Sequence, residues 1–584
     1  MRQAGYRLPA GLGYLPATVA YPAGGPPLNP TTSITRARRL RRTLAATLVV
    51  AVAGTASVVW FRDDDIPEVD PSLVADVDAC DVPLELLERM WRGYYPGRSG
   101  DIITIEQFPA IYGNRHATPW PYTQEVPLFL YGPGYIEGGT TFDRPVTVAD
   151  LAPTFAELLD FTDEFGKRDG RVLEEALLPK AQRNGKPRLI FTLVWDGGGD
   201  NVLERWPDAW PELQQLMDRS ASYTEATVGS SPSITPTVHA TIGTGDFANK
   251  HGMPDTKIRI KGSMIDSWQG FSPRYLERQT LGDMWDRAND NEPIVGVFAR
   301  DSWHAGMIGH GAQLEGGDAD LGVFDHLGDV NFRTRTPFYY MPEYLENEEG
   351  LQEAIDEIDL RDGEDDDEWL GNQLLPYTGE IRFGPAWPIY QTERMFQILR
   401  NERFGADEMP DLFYTNYKSA DLAGHLWNME EPEMRDVVRE QDRQIPKIVE
   451  GLDRLVGKDN YVLAFTADHG MQPYARVLDG WSIEMREVTK DLGERFDKVT
   501  PARSIVQSNR GYYIWLDEDE MRKEDLTAED IAAYIRDYRI HDNLSPTNEL
   551  RPRFEPRRNQ RLYLTALTPE QLEEALSCAR REQG

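Results

Sequence analysis

Three short segments of this chain set carboxylates and imidazoles just past stretches that read as β-strands. They are Leu193-Val194-Trp195-Asp196-Gly197, Asp421-Leu422-Ala423-Gly424-His425 and Ala464-Phe465-Thr466-Ala467-Asp468-His469-Gly470. Carboxylate oxygen and imidazole nitrogen are donors suited to zinc and similar divalent ions. A fourth segment, Ser233-Ile234-Thr235-Pro236-Thr237-Val238-His239, puts a hydroxyl where a helix should begin. Unpaired N–H groups and the positive dipole end at that start would suit a phosphoryl oxygen. Asp421 and His425, four residues apart, share one face of a helix or turn and can reach one ion. Alone, each segment is weak: Asp468-His469-Gly470 is a common turn, and Thr235 could simply cap a helix. Together and in order they call for two metal ions and a metal-activated hydroxyl, a combination that attacks phosphorus.

Such residues need a scaffold to bring them together. Apolar runs at Asp101–Ile105, Val126–Tyr131, Leu189–Trp195, Asp411–Thr415 and Tyr461–Thr466 predict strands. Helices are expected at Asp208–Ser220, Leu281–Ala288, Ala386–Asn401 and Glu433–Val456. Strands alternating with helices indicate an α/β fold with a mostly parallel sheet, which binds ligands beyond the carboxyl ends of its strands. The acidic, loop-rich stretch from about 310 to 385 reads as a solvated insertion capping the site.

The first 78 residues differ in character. Residues 1–42 form a Pro/Gly-rich, then Arg-rich tail that reads as disordered and cytoplasmic; residues 62–78 form an acidic linker. Between them, 43–61 carries no charge, with Arg36, Arg38, Arg39, Arg41 and Arg42 before it and Asp63, Asp64 and Asp65 after it. As a helix it would span about 28 Å, so a single-pass anchor with everything downstream outside the cytoplasm is expected. A cleaved export signal, with secretion, is the alternative. The 62 basic and 97 acidic residues give a net charge of −35, a field that argues against a nucleic-acid-binding module.

The ordered set of motifs resembles the alkaline phosphatase superfamily, in particular its branch of nucleotide pyrophosphatases/phosphodiesterases (type I phosphodiesterases). The resemblance implies an alkaline-phosphatase-like α/β domain over residues 79–584, with helices on both faces of its sheet. It implies that Thr235 is the nucleophile and, with Asp196, Asp468 and His469, holds one divalent ion, zinc being the best match. Asp421 and His425 would hold the second. The further histidine such a site needs does not follow Asp468-His469 in family context. Upstream, however, Gly113-Asn114-Arg115-His116-Ala117-Thr118-Pro119-Trp120-Pro121-Tyr122 and Val126-Pro127-Leu128 resemble the segment that normally ends the domain.

A circular permutation is therefore expected, with 79–178 as the displaced module and His116, rather than His541, as the ligand. It would also bring Cys80 and Cys578 close enough to bond. His239 and His251 are taken as structural. The asparagine that binds a phosphate oxygen in the diesterase branch is absent; Thr256 would stand in. The implied activity is hydrolysis of a small phosphate monoester or diester. The alternatives are transfer of phosphoethanolamine or phosphoglycerol to an envelope acceptor, and an inactive surface binding protein of the same fold.

Overall fold

The computed structural model describes residues 79–583, apart from residues 114, 326–330, 375–382 and 500–503. The expected tail, membrane helix at 43–61 and linker lie outside the described residues. Among the described residues no helix is long and apolar enough to cross a membrane.

The strands needed here are β1 (Ile102–Glu106), β2 (Leu128–Tyr131), β3 (Thr140–Thr147), β4 (Leu189–Trp195), β5 (Ala221–Thr227) and β6 (Val295–Arg300). They continue with β7 (Asp320–Asp325), β8 (Phe332–Arg333), β9 (Asp411–Tyr417), β10 (Tyr461–Ala467), β11 (Val506–Asn509), β12 (Tyr513–Leu516) and β13 (Tyr563–Leu567). The central sheet runs β8-β7-β6-β9-β4-β10-β2-β5-β3, with a short tenth strand, Tyr339–Tyr340, beside β7. From β7 to β10 every pairing is parallel, as is β5 with β3; β2 and β8 run against their neighbours.

Strand β4 explains why its sequence is a continuous apolar run instead of an alternating one. Leu189, Phe191, Leu193 and Trp195 join one core, with Met434, Val437 and Ile448 of the Pro432–Leu455 helix. Ile190 and Val194 join the other, with Val238 and Ile242 of the Thr235–Thr244 helix. Both faces are covered, as a parallel sheet requires.

Two expectations need correction. The first concerns Asp101–Ile105, which does not enter the parallel sheet. Strand β1 sits in a separate antiparallel sheet, ordered β11-β12-β1-β13, between two strands from the C-terminal part of the chain. All five of its residues are buried, so its apolar run looks the same whichever sheet receives it. Nearby the Leu84–Gly93 and Pro569–Glu582 helices pack together, and Cys80 is bonded to Cys578 with their Cα atoms 5.4 Å apart.

The second concerns 310–385, which is not simply a solvated cap. It supplies the sheet's edge through β7, fully buried, and a helix, Leu351–Asp359, that buries Leu351, Ala354, Ile355 and Ile358 against the Ala386–Asn401 helix. Much of the segment's acidity lies in exposed stretches such as 362–367, which hide these short buried elements.

Candidate active site

Register fixes the first part of the site. Trp195 pairs with Tyr417 on one side and with Ala467 on the other, so three adjacent parallel strands end level. The residues that follow, Asp196, Lys418 and Asp468, therefore emerge side by side, and all are buried. Asp196 Oδ1 accepts from Lys418 Nζ at 2.6 Å, while its Oδ2 accepts from Asn416 Nδ2 at 3.0 Å. Asp468 Oδ1 accepts from the Gly197 N–H at 3.1 Å. Gly197 has φ +71°, and a Cβ there would lie 2.8 Å from Asp421 Cα. Only glycine lets this turn meet the segment that carries Asp421.

Thr235 is the first residue of the Thr235–Thr244 helix, and its Oγ1 lies 2.8 Å from Lys418 Nζ. The expectation of free N–H donors at this helix start is not met in full. Pro236 has no N–H, and those of Thr237 and Val238 both donate to Ile234 O. The nearest strong donor to the hydroxyl is instead the Lys418 ammonium.

The second group gathers around Asp421. The Ser419–Leu426 helix sets Asp421 and His425 on one face, with His425 Nε2 3.2 Å from Asp421 Oδ1. His116 arrives from far upstream in the sequence: its Nε2 is 3.5 Å from the same oxygen. Ser233 holds it in place, its carbonyl accepting from His116 Nδ1 at 2.8 Å and its hydroxyl donating to His116 O at 2.7 Å. The His116 ring stacks on that of His469, with centroids 3.4 Å apart. His469 Nδ1 donates to Gly470 O, which turns Nε2 toward Asp196 Oδ1 and Asp468 Oδ2, each at 3.4 Å, and toward Asp421 Oδ1 at 3.8 Å. By contrast, His541 Nδ1 meets Arg558 O at the surface.

Three buried carboxylates thus share one buried ammonium. Burial disfavours the Lys418 cation, but Asp196, Asp421 and Asp468 outweigh it and raise its pKa. Burial also opposes ionisation of Asp196 and Asp421, yet Lys418 holds both well below the usual carboxylate range. Asp468 receives less help: burial and the Asp196 charge push it up to about 7. Burial and the nearby His469 hold His116 well below its ordinary value, so it is a neutral imidazole with a lone pair to offer.

The residues fit divalent cations. Asp421 Oδ1, Asp468 Oδ2 and His469 Nε2 are buried, face a common space and make no hydrogen bond within the protein. Buried polar atoms left without partners in this way carry a desolvation cost that a bound cation removes. Triplets able to hold an ion include His116, Asp421 and His425, and Asp196, Asp421 and His469.

The structure does not gather Thr256 with this cluster. Its hydroxyl donates to Asp255 Oδ1 at 2.9 Å and accepts from Arg510 Nη2 at 2.8 Å. Conversely, Lys418, Asn416 and His304 belong to the site and were missed. His304 Nε2 lies 3.3 Å from Asp196 Oδ2. The signal for Lys418 was present: a lone charge right after a strand, three residues before Asp421. His304, in Asp301-Ser302-Trp303-His304 after β6, follows the same strand-then-ligand pattern without any motif to mark it.

A buried Asp/His cluster beyond the carboxyl ends of a mostly parallel α/β sheet, facing a threonine at a helix start, defines a class of enzyme that hydrolyses phosphoric esters. Residues 190–570 match the family model "Type I phosphodiesterase / nucleotide pyrophosphatase", and the chain belongs to that family. Among relatives, the alkaline phosphatase PafA of Elizabethkingia meningoseptica is 22% identical over 408 residues, 60% of this chain and 72% of the relative. A protein of Myroides odoratus named calcium-transporting ATPase is 22% identical over 405 residues, with the same coverage of 60% and 72%. The crystal structure of wild-type PafA superposes with a TM-score of 0.47 at 18% identity, covering 60% of this chain and 76% of that one.

Proposed function

We propose that this chain hydrolyses small phosphate esters with Thr235 as nucleophile and two divalent ions, zinc being the best match to the donors. The observation that carries the reading is the set of orphaned donor atoms, Asp421 Oδ1, Asp468 Oδ2 and His469 Nε2, buried beside Thr235 and Lys418. Asp196, Thr235, Asp468 and His469 would hold one ion; Asp421, His425 and His116 the other. Bound there, the ions lower the pKa of the threonine hydroxyl and offset charge on the phosphoryl oxygens.

The chain's own residues do the rest. Thr235 Oγ attacks phosphorus, forming the Oγ–P bond as the ester P–O bond to the leaving group breaks. Lys418, within hydrogen-bonding distance of Oγ1, stabilises the oxyanion as the hydroxyl proton passes to solvent water. Water then cleaves the phospho-threonine and restores the hydroxyl. His425 is the one partly exposed member of the set, the others being buried.

The same reading takes 79–178 as a module displaced from the usual end of the domain. Insertion of β1 between β12 and β13, the Cys80–Cys578 bond and the approach of His116 to Asp421 support it. It also carries forward the membrane-anchored, outward-facing location, supported by the uncharged 43–61 stretch and its flanking charges. The test is a panel of aryl phosphate mono- and diesters with metal analysis on the same sample. Thr235→Ala should lose at least ~10³-fold in turnover, as loss of a covalent nucleophile does, with metal content kept. Undiminished turnover refutes the nucleophile assignment.

A further inference from the structure

We propose that Asp196, His239 and His304 form a third divalent-cation subsite, sharing the Asp196 carboxylate with the two-metal site; this rests on the two-metal reading above. His239 lies four residues after Thr235 on the Thr235–Thr244 helix. His304 lies in the Ser302–Met307 turn that follows β6, and β6 pairs directly with β9. The two histidines therefore approach Asp196 from a side that none of the residues assigned above to the two ions occupies.

Close backbone packing holds them there. A Cβ on Gly306 would lie 2.8 Å from the Ala240 backbone nitrogen, and one on Gly243 would lie 2.3 Å from Gly306 O. With nothing between the backbones, the two imidazole centroids sit 4.5 Å apart, edge to face. Both side chains are fully buried.

Hydrogen bonding then sets which nitrogen is free. His239 Nδ1 faces Thr235 O at 2.8 Å, and His304 Nδ1 faces Asp301 O at 3.2 Å. A carbonyl can only accept, so His239 Nδ1 carries the proton and its Nε2 is left with a lone pair, while His304 faces an acceptor at each ring nitrogen. His239 Nε2 makes no hydrogen bond at all. His304 Nε2 points at a carboxylate oxygen, Asp196 Oδ2, 3.3 Å away. Lone pair against carboxylate is repulsive unless a cation or proton lies between them.

A ring nitrogen of each histidine and an Asp196 oxygen lie within 4.8 Å of one another, close enough for one ion. Two imidazoles and one carboxylate suit zinc, manganese or cobalt rather than calcium or magnesium, which take oxygen donors. Asp196 can serve both sites because its other oxygen, Oδ1, faces Lys418 and His469. The competing arrangement is a His304 imidazolium paired with Asp196, with no ion.

Metal content of the full chain, loaded with zinc, desalted and measured by mass spectrometry, separates these. Three ions per chain are expected, falling to two in His304→Gln and in His239→Gln. Two ions in the unmodified chain, or three retained in both variants, would overturn the inference while leaving the two-metal reading intact. Fewer than two in the unmodified chain would overturn both. Anomalous diffraction at the zinc edge from unmodified protein needs no variant to fold. A third peak touching His239 and His304 supports the subsite, and peaks confined to the other two positions refute it.

Discussion

Replacing Lys418 by methionine gives the sharpest test of how this site balances its charge. Lys418 is 5% exposed, and its ammonium lies 2.6 Å from Asp196 Oδ1 and 2.9 Å from Asp421 Oδ2, with the Asp468 carboxylate also acting on it. Methionine keeps most of the hydrocarbon and removes only the charge, so packing changes little. Without metal, the substitution leaves three buried carboxyl groups with only the His469 ring, whose pKa they raise to about 9, as a cation among them. Breaking a buried ion pair by removing one partner costs about 3–5 kcal/mol. With two divalent ions bound, the carboxylates are already neutralised, and most of that loss should disappear. The assay is chemical unfolding followed by tryptophan fluorescence, for both proteins, in chelator and in zinc. Lys418→Met should lower the midpoint strongly in chelator and weakly in zinc. An equal loss in both conditions would mean that the lysine only packs, and no loss in chelator would refute the charge balance itself.

Three other outcomes follow from the geometry. His116→Ala should lose about one zinc per chain, whereas His541→Ala should lose none; metal loss only in the second would sink the upstream ligand assignment. Glu106 is fully buried, and burial raises its carboxyl to about 7 from an ordinary 4.5. Because the folded pKa is the higher one, its favourable contribution is complete below pH 4.5 and is lost as pH rises through 7, amounting to roughly 3 kcal/mol. Glu106→Gln should therefore stabilise the domain at pH 8 and change little at pH 4.5; a uniform shift at both would contradict this. Replacing Cys80 and Cys578 together by serine should lower unfolding stability by about 4 kcal/mol, since the bond closes a very long loop. Reducing agent should reproduce the loss in the unmodified chain, and an unaffected midpoint would show that the link does not constrain unfolding.

The chemistry-bearing residue types and their order can be read along the chain without any fold. Asp196, Asp421 with His425, and Asp468-His469 were legible because each follows a strand long and apolar enough to recognise. The Asp421–His425 spacing fixes a shared helix face without further help. The Leu281–Ala288 and Ala386–Asn401 helices were also plain from periodicity, and both appear with those bounds.

Which strands are neighbours, and where they stop, is set by long-range packing. Level pairing of Trp195 with Tyr417 and Ala467 is a long-range fact, and it alone puts Lys418 between Asp196 and Asp421. Residues 102–106 could not reveal that their partners lie more than four hundred residues away, because burial on both faces erases the alternation that would mark a sheet. His304 became visible for the same reason: only the fold brings its ring, from the turn after β6, to within 3.3 Å of Asp196.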